Sequence, residues 1–321
     1  MKNKKIFLII IFIIALIITI IVTYHFSTKF SQTYNQLEND NIENNNVSDL
    51  NNELRNENIE NNKSDEENNE YKSEYDGSLG TAGSLKGQTV IVSIFANDEN
   101  TNWNLKNKED LEMIDDTLDN LKIATEYLSK NVSKYNETAT FIYDWKEYND
   151  LKYVTSFDQN LVTADGIMYY FQKEYIEQNI NTDNLKNKYK ADNVIYMFYF
   201  NTDYSNSVNP WSLGHSNGDY YNIEIINIFV KFDDYFVTSP ASYAHEIMHT
   251  FGAHDLYYAN EFINQEYVNH CLNSNSNDIM FTVSDGKTIS VDFTDLDAYY
   301  VGLIDKCKEV EKWGLGKSEH N

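Results

Sequence analysis

The stretch TSPASYAHEIMHTFG, residues 238 to 252, constrains this chain more than any other. Ser239 is a good N-cap and Pro240 is tolerated at the first helical position, so a helix starts here. Gly252 fits the left-handed residue that closes a helix. Between them His245 and His249 stand one turn apart on one face, and both imidazoles can reach a single ion. Glu246 neighbours the first histidine and can reach a water on that ion without binding the ion itself. His254 and Asp255 follow the glycine, and each is a candidate third ligand. With 7 histidines in 321 residues, a chance His-Glu-x-x-His match is expected on the order of once per hundred such chains. The helix start, the glycine stop and the acid–imidazole pair behind it all favour a metal centre over a helix with two incidental histidines.

The rest of the chain divides by composition. Residues 1–5 carry Lys2, Lys4 and Lys5, and 6–24 hold no charge. Nineteen residues in a helix cover roughly 28 Å, close to the ~30 Å hydrocarbon core. The run lacks a small-residue cleavage pattern, so a retained single-pass anchor in the lipid bilayer is expected. The lysines would stay in the cytoplasm and the remainder would lie outside the cell, at the cell membrane. Residues 25–85 read as an Asn/Glu-rich tether. Within 31–80 thirteen acidic side chains face three basic ones, and apolar residues are too sparse to repay ordering. That leaves 86–321 as the folded domain, long enough for one sizeable core. A formal charge of −25 excludes nucleic acid as a partner, because phosphate binding needs a basic surface. Cys271 and Cys307 can pair as a disulfide outside the cytoplasm; otherwise they are two thiols.

Periodicity gives a coarse element order. Strands are expected at 88–96, 139–145, 193–200 and 220–230. Helices are expected at 109–132, with Leu111, Ile114, Leu118, Leu121, Ala124 and Leu128 on one stripe, and at 164–179, capped by Asp165. A further helix at 293–305 is capped by Thr294 and packs Leu296, Tyr299, Tyr300 and Leu303. Alternating strands and helices predict an α+β domain with a mixed sheet.

The pattern His245-Glu246-x-x-His249-x-x-Gly252-x-x-Asp255 resembles the extended zinc motif of the metzincin metallopeptidases, over about the stretch 239–305. Most of that clan has histidine where Asp255 stands; small secreted bacterial members of the snapalysin type have aspartate. The resemblance implies a twisted mixed sheet with backing helices, an active-site helix and a smaller C-terminal subdomain after Gly252. It implies one catalytic Zn²⁺ held by His245, His249 and Asp255, with His254 as the alternative third ligand. SNSNDIMF, residues 274–281, resembles the Met-turn of the clan and sets Met280 beneath the metal. Thr282 stands where some members carry a tyrosine, so that turn supplies none. Asp295 or Asp297, and Glu261 or Glu266, offer ligands in other His-Glu-x-x-His arrangements; Asp295 and Asp297 are already accounted for by the helix cap. His215 lies in a turn-rich loop and reads as a surface histidine or a residue of a cleft rim.

The expected function is a membrane-tethered, outward-facing zinc endopeptidase acting on peptides or proteins, with Glu246 as general base. The strand at 221–229 would sit at the cleft edge and pair with an extended substrate. The alternatives are a surface domain or adhesin that keeps zinc for stability alone, and a hydrolase of cell-wall peptide.

Overall fold

A computed structural model describes residues 82–162, 167–213 and 223–320. Gly87–Asn97 (β1) opens the fold with a run of β-branched and apolar residues, and Val90 to Ile94 are buried without interruption. Lys108–Val132 (α1) follows, with Asn107 as its N-cap accepting from the Glu109 amide. Ile114, Leu118, Leu121, Ala124 and Leu128 of α1 are buried, as the stripe predicted. Leu111, in the first turn, is instead 44 % exposed. Ala139–Ile142 (β2) and Lys152–Ser156 (β3) come next. Both run parallel to β1 on the same edge, β2 beside Gly87–Val90 and β3 beside Ser93–Asn97.

Ile167–Asn179 (α2) and Thr182–Tyr189 (α3) lead into Asn193–Phe200 (β4). Every residue of β4 is buried. A continuous apolar run of this kind suits a strand with parallel neighbours on both sides and cover on both faces. Those neighbours are β1 and Glu224–Phe229 (β6). Trp211–Leu213 (β5) pairs antiparallel with β6 and closes the sheet, giving the order β2-β1-β4-β6-β5. The strand expected at the cleft edge is therefore an interior strand, and the edge belongs to β5. Lys231–Phe232 (β7) and Phe236–Val237 (β8) form a small antiparallel ribbon.

Pro240–His249 (α4) packs against α1 and reaches β5 and β6. Each large aliphatic side chain buried on the α1 stripe contributes roughly 1.5–3 kcal/mol, which ties α1 to the sheet and to α4. After Gly252 the chain continues as turns with Gln265–Ser274 (α5), Asp295–Tyr300 (α6) and Lys308–Trp313 (α7). A single parallel bridge joins Asp278 to Asp292. The molecule is thus α+β with a mixed sheet.

Three expectations change. Ala82 and Leu85, read as the end of the tether, are each 1 % exposed and belong to the core. Among the described residues no helix is long and apolar enough to cross a membrane. The longest, α1, has 25 residues, but acidic side chains such as Asp115, Asp116 and Asp119 recur along it. The anchor expected at 6–24 and the Asp165 cap lie outside the described residues, and the single-pass, outward-facing placement is withdrawn. Finally, Cys271 and Cys307 do not pair: both are free and buried. The Cys307 thiol instead faces the Glu309 carboxylate at 3.2 Å. Burial first, then neighbouring carboxylates, push both thiols up to about 11.

Candidate metal centre

The local sequence builds α4 as its composition requires. The Ser239 side chain caps it by accepting from the Ser242 amide, and Pro240 occupies its first turn. His245 and His249 emerge on one face with their rings edge to face, centroids 4.7 Å apart. The helix ends at His249, and Gly252 adopts φ +93°. That left-handed conformation favours glycine. It sends the chain back towards the helix, with the Ala253 amide donating to the Met248 carbonyl at 3.2 Å.

Asp255 returns on this turn. Among the described residues, His245, His249 and Asp255 are the group whose ligand atoms converge. Nε2 of His245 lies 3.1 Å from Nε2 of His249. Oδ1 of Asp255 lies 3.1 Å from the first nitrogen and 3.3 Å from the second. Atoms about 2.0–2.1 Å from one tetrahedral ion stand roughly 3.3–3.4 Å apart, so the triangle has the size that zinc requires.

The far side of each ring fixes its tautomer. Nδ1 of His245 is 2.8 Å from the Ile279 carbonyl, and Nδ1 of His249 is 2.9 Å from the Ala253 carbonyl. Carbonyls only accept, so each Nδ1 carries the proton and a neutral ring presents a lone pair at Nε2. Oδ1 of Asp255 is buried and accepts no hydrogen bond. Lone pairs so close repel unless a cation sits among them. Protons meet part of that demand in the metal-free protein. Burial opposes a charged imidazole, but the Asp255 carboxylate outweighs it and holds His249 up at about 9. Despite its burial, Asp255 is held well below the usual carboxylate range by the two imidazoles. Two imidazoles and one carboxylate, convergent, with His245 and Asp255 buried and His249 half-buried, fit a zinc ion, and three protein ligands are the number typical of a catalytic zinc site.

The turn at 278–281 supports the triangle through the backbone. Ile279 supplies the carbonyl that holds His245. Met280 is buried; its amide donates to Asp278 Oδ1 at 2.7 Å and its carbonyl accepts from Leu256 at 2.9 Å. Asp278 Oδ2 accepts from the Thr294 hydroxyl at 2.8 Å. Thr294 and Asp297 form a reciprocal capping box on α6. Burial pushes the Asp278 carboxyl up to about 6, and raises Asp297 well above its ordinary range with help from the Asp278 charge. Asp297 is thus a capping residue, and Asp295 accepts from the Tyr135 hydroxyl at 2.9 Å. Glu261 and Glu266 are exposed and outside the cluster. His254 is outside it too, stacked on Phe262 at 4.0 Å with Tyr300 edge-on. His215 lies outside the described residues.

A cleft of about 340 Å³ opens beside the triangle, with Glu246, His249, Asp255, Tyr257 and the β5 residues on its walls. Glu246 is buried, and its Oε2 accepts from the Ser212 hydroxyl at 2.8 Å. Tyr257 and Tyr258 keep 38 % and 41 % of their surface open. Burial first, then the Asp255 charge, push the Tyr258 phenol up to about 12 and Tyr257 further still. Both therefore stay protonated donors at neutral pH. Thr282, two residues after Met280, offers no phenol; Tyr257, two residues after Asp255 on the same returning turn, brings one to the cleft, and no motif in the sequence marks it. Ser212 carried no signal in the sequence, since only the sheet brings it to α4.

No family model and no curated protein matches the chain. Solved structures give four matching chains. One is described as "Structure of a chaperone-substrate complex", with 13 % identity and a TM-score of 0.25 over 56 % of this chain and 26 % of that one. The chain spans about a quarter of that match, and a likeness at this level carries no inference about fold or function.

Proposed function

We propose that the protein is a zinc-dependent endopeptidase of the metzincin type. The observation that carries this reading is the convergence of His245, His249 and Asp255 at zinc-like spacing beside Glu246 in one open cleft. The carboxylate that follows Gly252, rather than the His254 imidazole, would be the third ligand. The supported His245 ring, the buried Met280 turn and the antiparallel edge strand add to the likeness.

His245, His249 and Asp255 would hold the ion. When bound, zinc would polarise the scissile carbonyl and acidify its water. Glu246 would take the proton of the attacking water at a carboxylate oxygen and pass it to the leaving amide nitrogen. Tyr257, kept protonated, would donate to the oxygen that gains charge as the carbonyl becomes tetrahedral. The outer edge of β5, unpaired among the described residues, would pair with the backbone of an extended peptide and set its register along the cleft.

Glu246→Gln tests the reading. It should keep zinc and lose peptide hydrolysis by roughly 10²–10⁴-fold, the usual worth of a positioned general base. Zinc retained with full activity would remove Glu246 from the chemistry.

A further inference from the structure

We propose that Ser212 is a positioning residue that ties the general base to the strand on which substrate docks. The inference rests on the reading of Glu246 given above. Ser212 is the middle residue of β5, held in register opposite Ile226 of β6. Its Oγ stands 2.8 Å from Glu246 Oε2 and 3.2 Å from the Glu246 main-chain carbonyl. A hydroxyl has one proton, and the shorter, charged contact takes it.

Glu246 is 5 % exposed, so its carboxylate has little water to orient it. A buried acceptor that loses its donor suffers the full desolvation penalty of that group. A glutamate side chain also turns about several bonds, and proton transfer tolerates little misplacement. The Ser212 hydroxyl occupies Oε2 and leaves Oε1 to meet the water proton. Because the same residue lies in the edge strand, a peptide paired with β5 and the base that serves its scissile bond are aligned through one side chain. Such a link acts on the chemical step more than on binding: substrate would still find the β5 backbone when the hydroxyl is removed.

The test uses the full chain, with Ser212→Ala and Ser212→Thr compared against wild type on a peptide library, and zinc content measured for each. The expected result is one zinc in every variant. In Ser212→Ala, kcat should fall roughly 10- to 100-fold, the scale of a misplaced catalytic group, with KM within about twofold. Ser212→Thr keeps the hydroxyl and should recover most of the rate. A second measurement needs no turnover. In the metal-free chain Ser212→Ala should lower Tm by roughly 2–4 °C, as about 1 kcal/mol does at this size. The same change made in a Glu246→Ala background should lower it by much less, because its partner is gone. An unchanged kcat, a loss that threonine does not recover, or additive melting shifts would overturn the role of Ser212 while leaving the peptidase reading intact. A wild-type chain that cleaves no peptide would overturn that reading itself, and the role of Ser212 with it.

Discussion

Asp255 and His254 sit side by side in sequence and do unlike things. The carboxylate joins the two imidazoles, while the neighbouring ring is stacked on Phe262 with Tyr300 edge-on. Asp255→Ala should therefore abolish tight zinc binding, and His254→Ala should keep the ion while lowering Tm through lost packing; metal analysis beside thermal melts separates the two. Protons and zinc compete for the same nitrogens. With His249 held up at about 9 in the metal-free protein, the ring is charged at neutral pH and must release its proton to bind metal. Zinc affinity should thus climb from pH 6.5 to 8.5, by about tenfold per unit for each proton released. Calorimetry in buffers of different ionisation enthalpy counts those protons, and a pH-independent affinity would contradict this assignment. Tyr257→Phe should keep zinc and cost roughly 10²–10³ in kcat if the phenol supports the developing oxyanion. At this scale the grouping of His245, His249 and Asp255 beside Glu246 was legible in the sequence, because helix spacing and turn geometry are local. Tyr257 carries no such local signal, since it reaches the cleft only once the turn after Gly252 has folded back.

Two elements hold the triangle, and each can be perturbed alone. Gly252, at φ +93°, bends the chain so that Asp255 can return. Gly252→Ala puts a side chain into a conformation that costs about 1–2 kcal/mol, and should weaken zinc binding along with stability. The turn at 278–281 is fastened to α6 through Asp278, Thr294 and Asp297. Burial raises Asp278 to about 6 and also raises Asp297, so the folded state holds protons there that the unfolded chain has already released. Above the ordinary aspartate value of about 4 the unfolded chain binds fewer protons, so this contribution to stability declines as pH rises from there through about 6. Asp297→Asn, which supplies a neutral partner of the same shape, should flatten that decline in a series of melts from pH 4 to pH 8. Long periodic elements were legible in sequence: α1, β1 and β4 fall within a residue or so of expectation. The short ones were not. β3, β5 and the β7–β8 ribbon owe their existence to neighbouring strands rather than to any pattern of their own.

For the whole molecule, what the sheet adds is adjacency. It places β5 beside α4 on the walls of one cleft, although these segments are far apart in the chain. No local pattern encodes that arrangement: strand-like alternation points to 221–229 as the edge strand, whereas β5 holds that place, and Ser212 carries no signal of its own. Nor does cysteine count reveal pairing, since Cys271 and Cys307 settle into separate buried surroundings. The His245–His249–Asp255 triangle is where residue, element and sheet meet, and the full chain, purified without chelator, allows a direct assay by elemental analysis before and after dialysis against zinc. One zinc per chain, absent from Asp255→Ala and retained in Glu246→Gln, is the expected result. A chain that carries no metal and takes up none when zinc is supplied would contradict the proposed centre and everything built upon it.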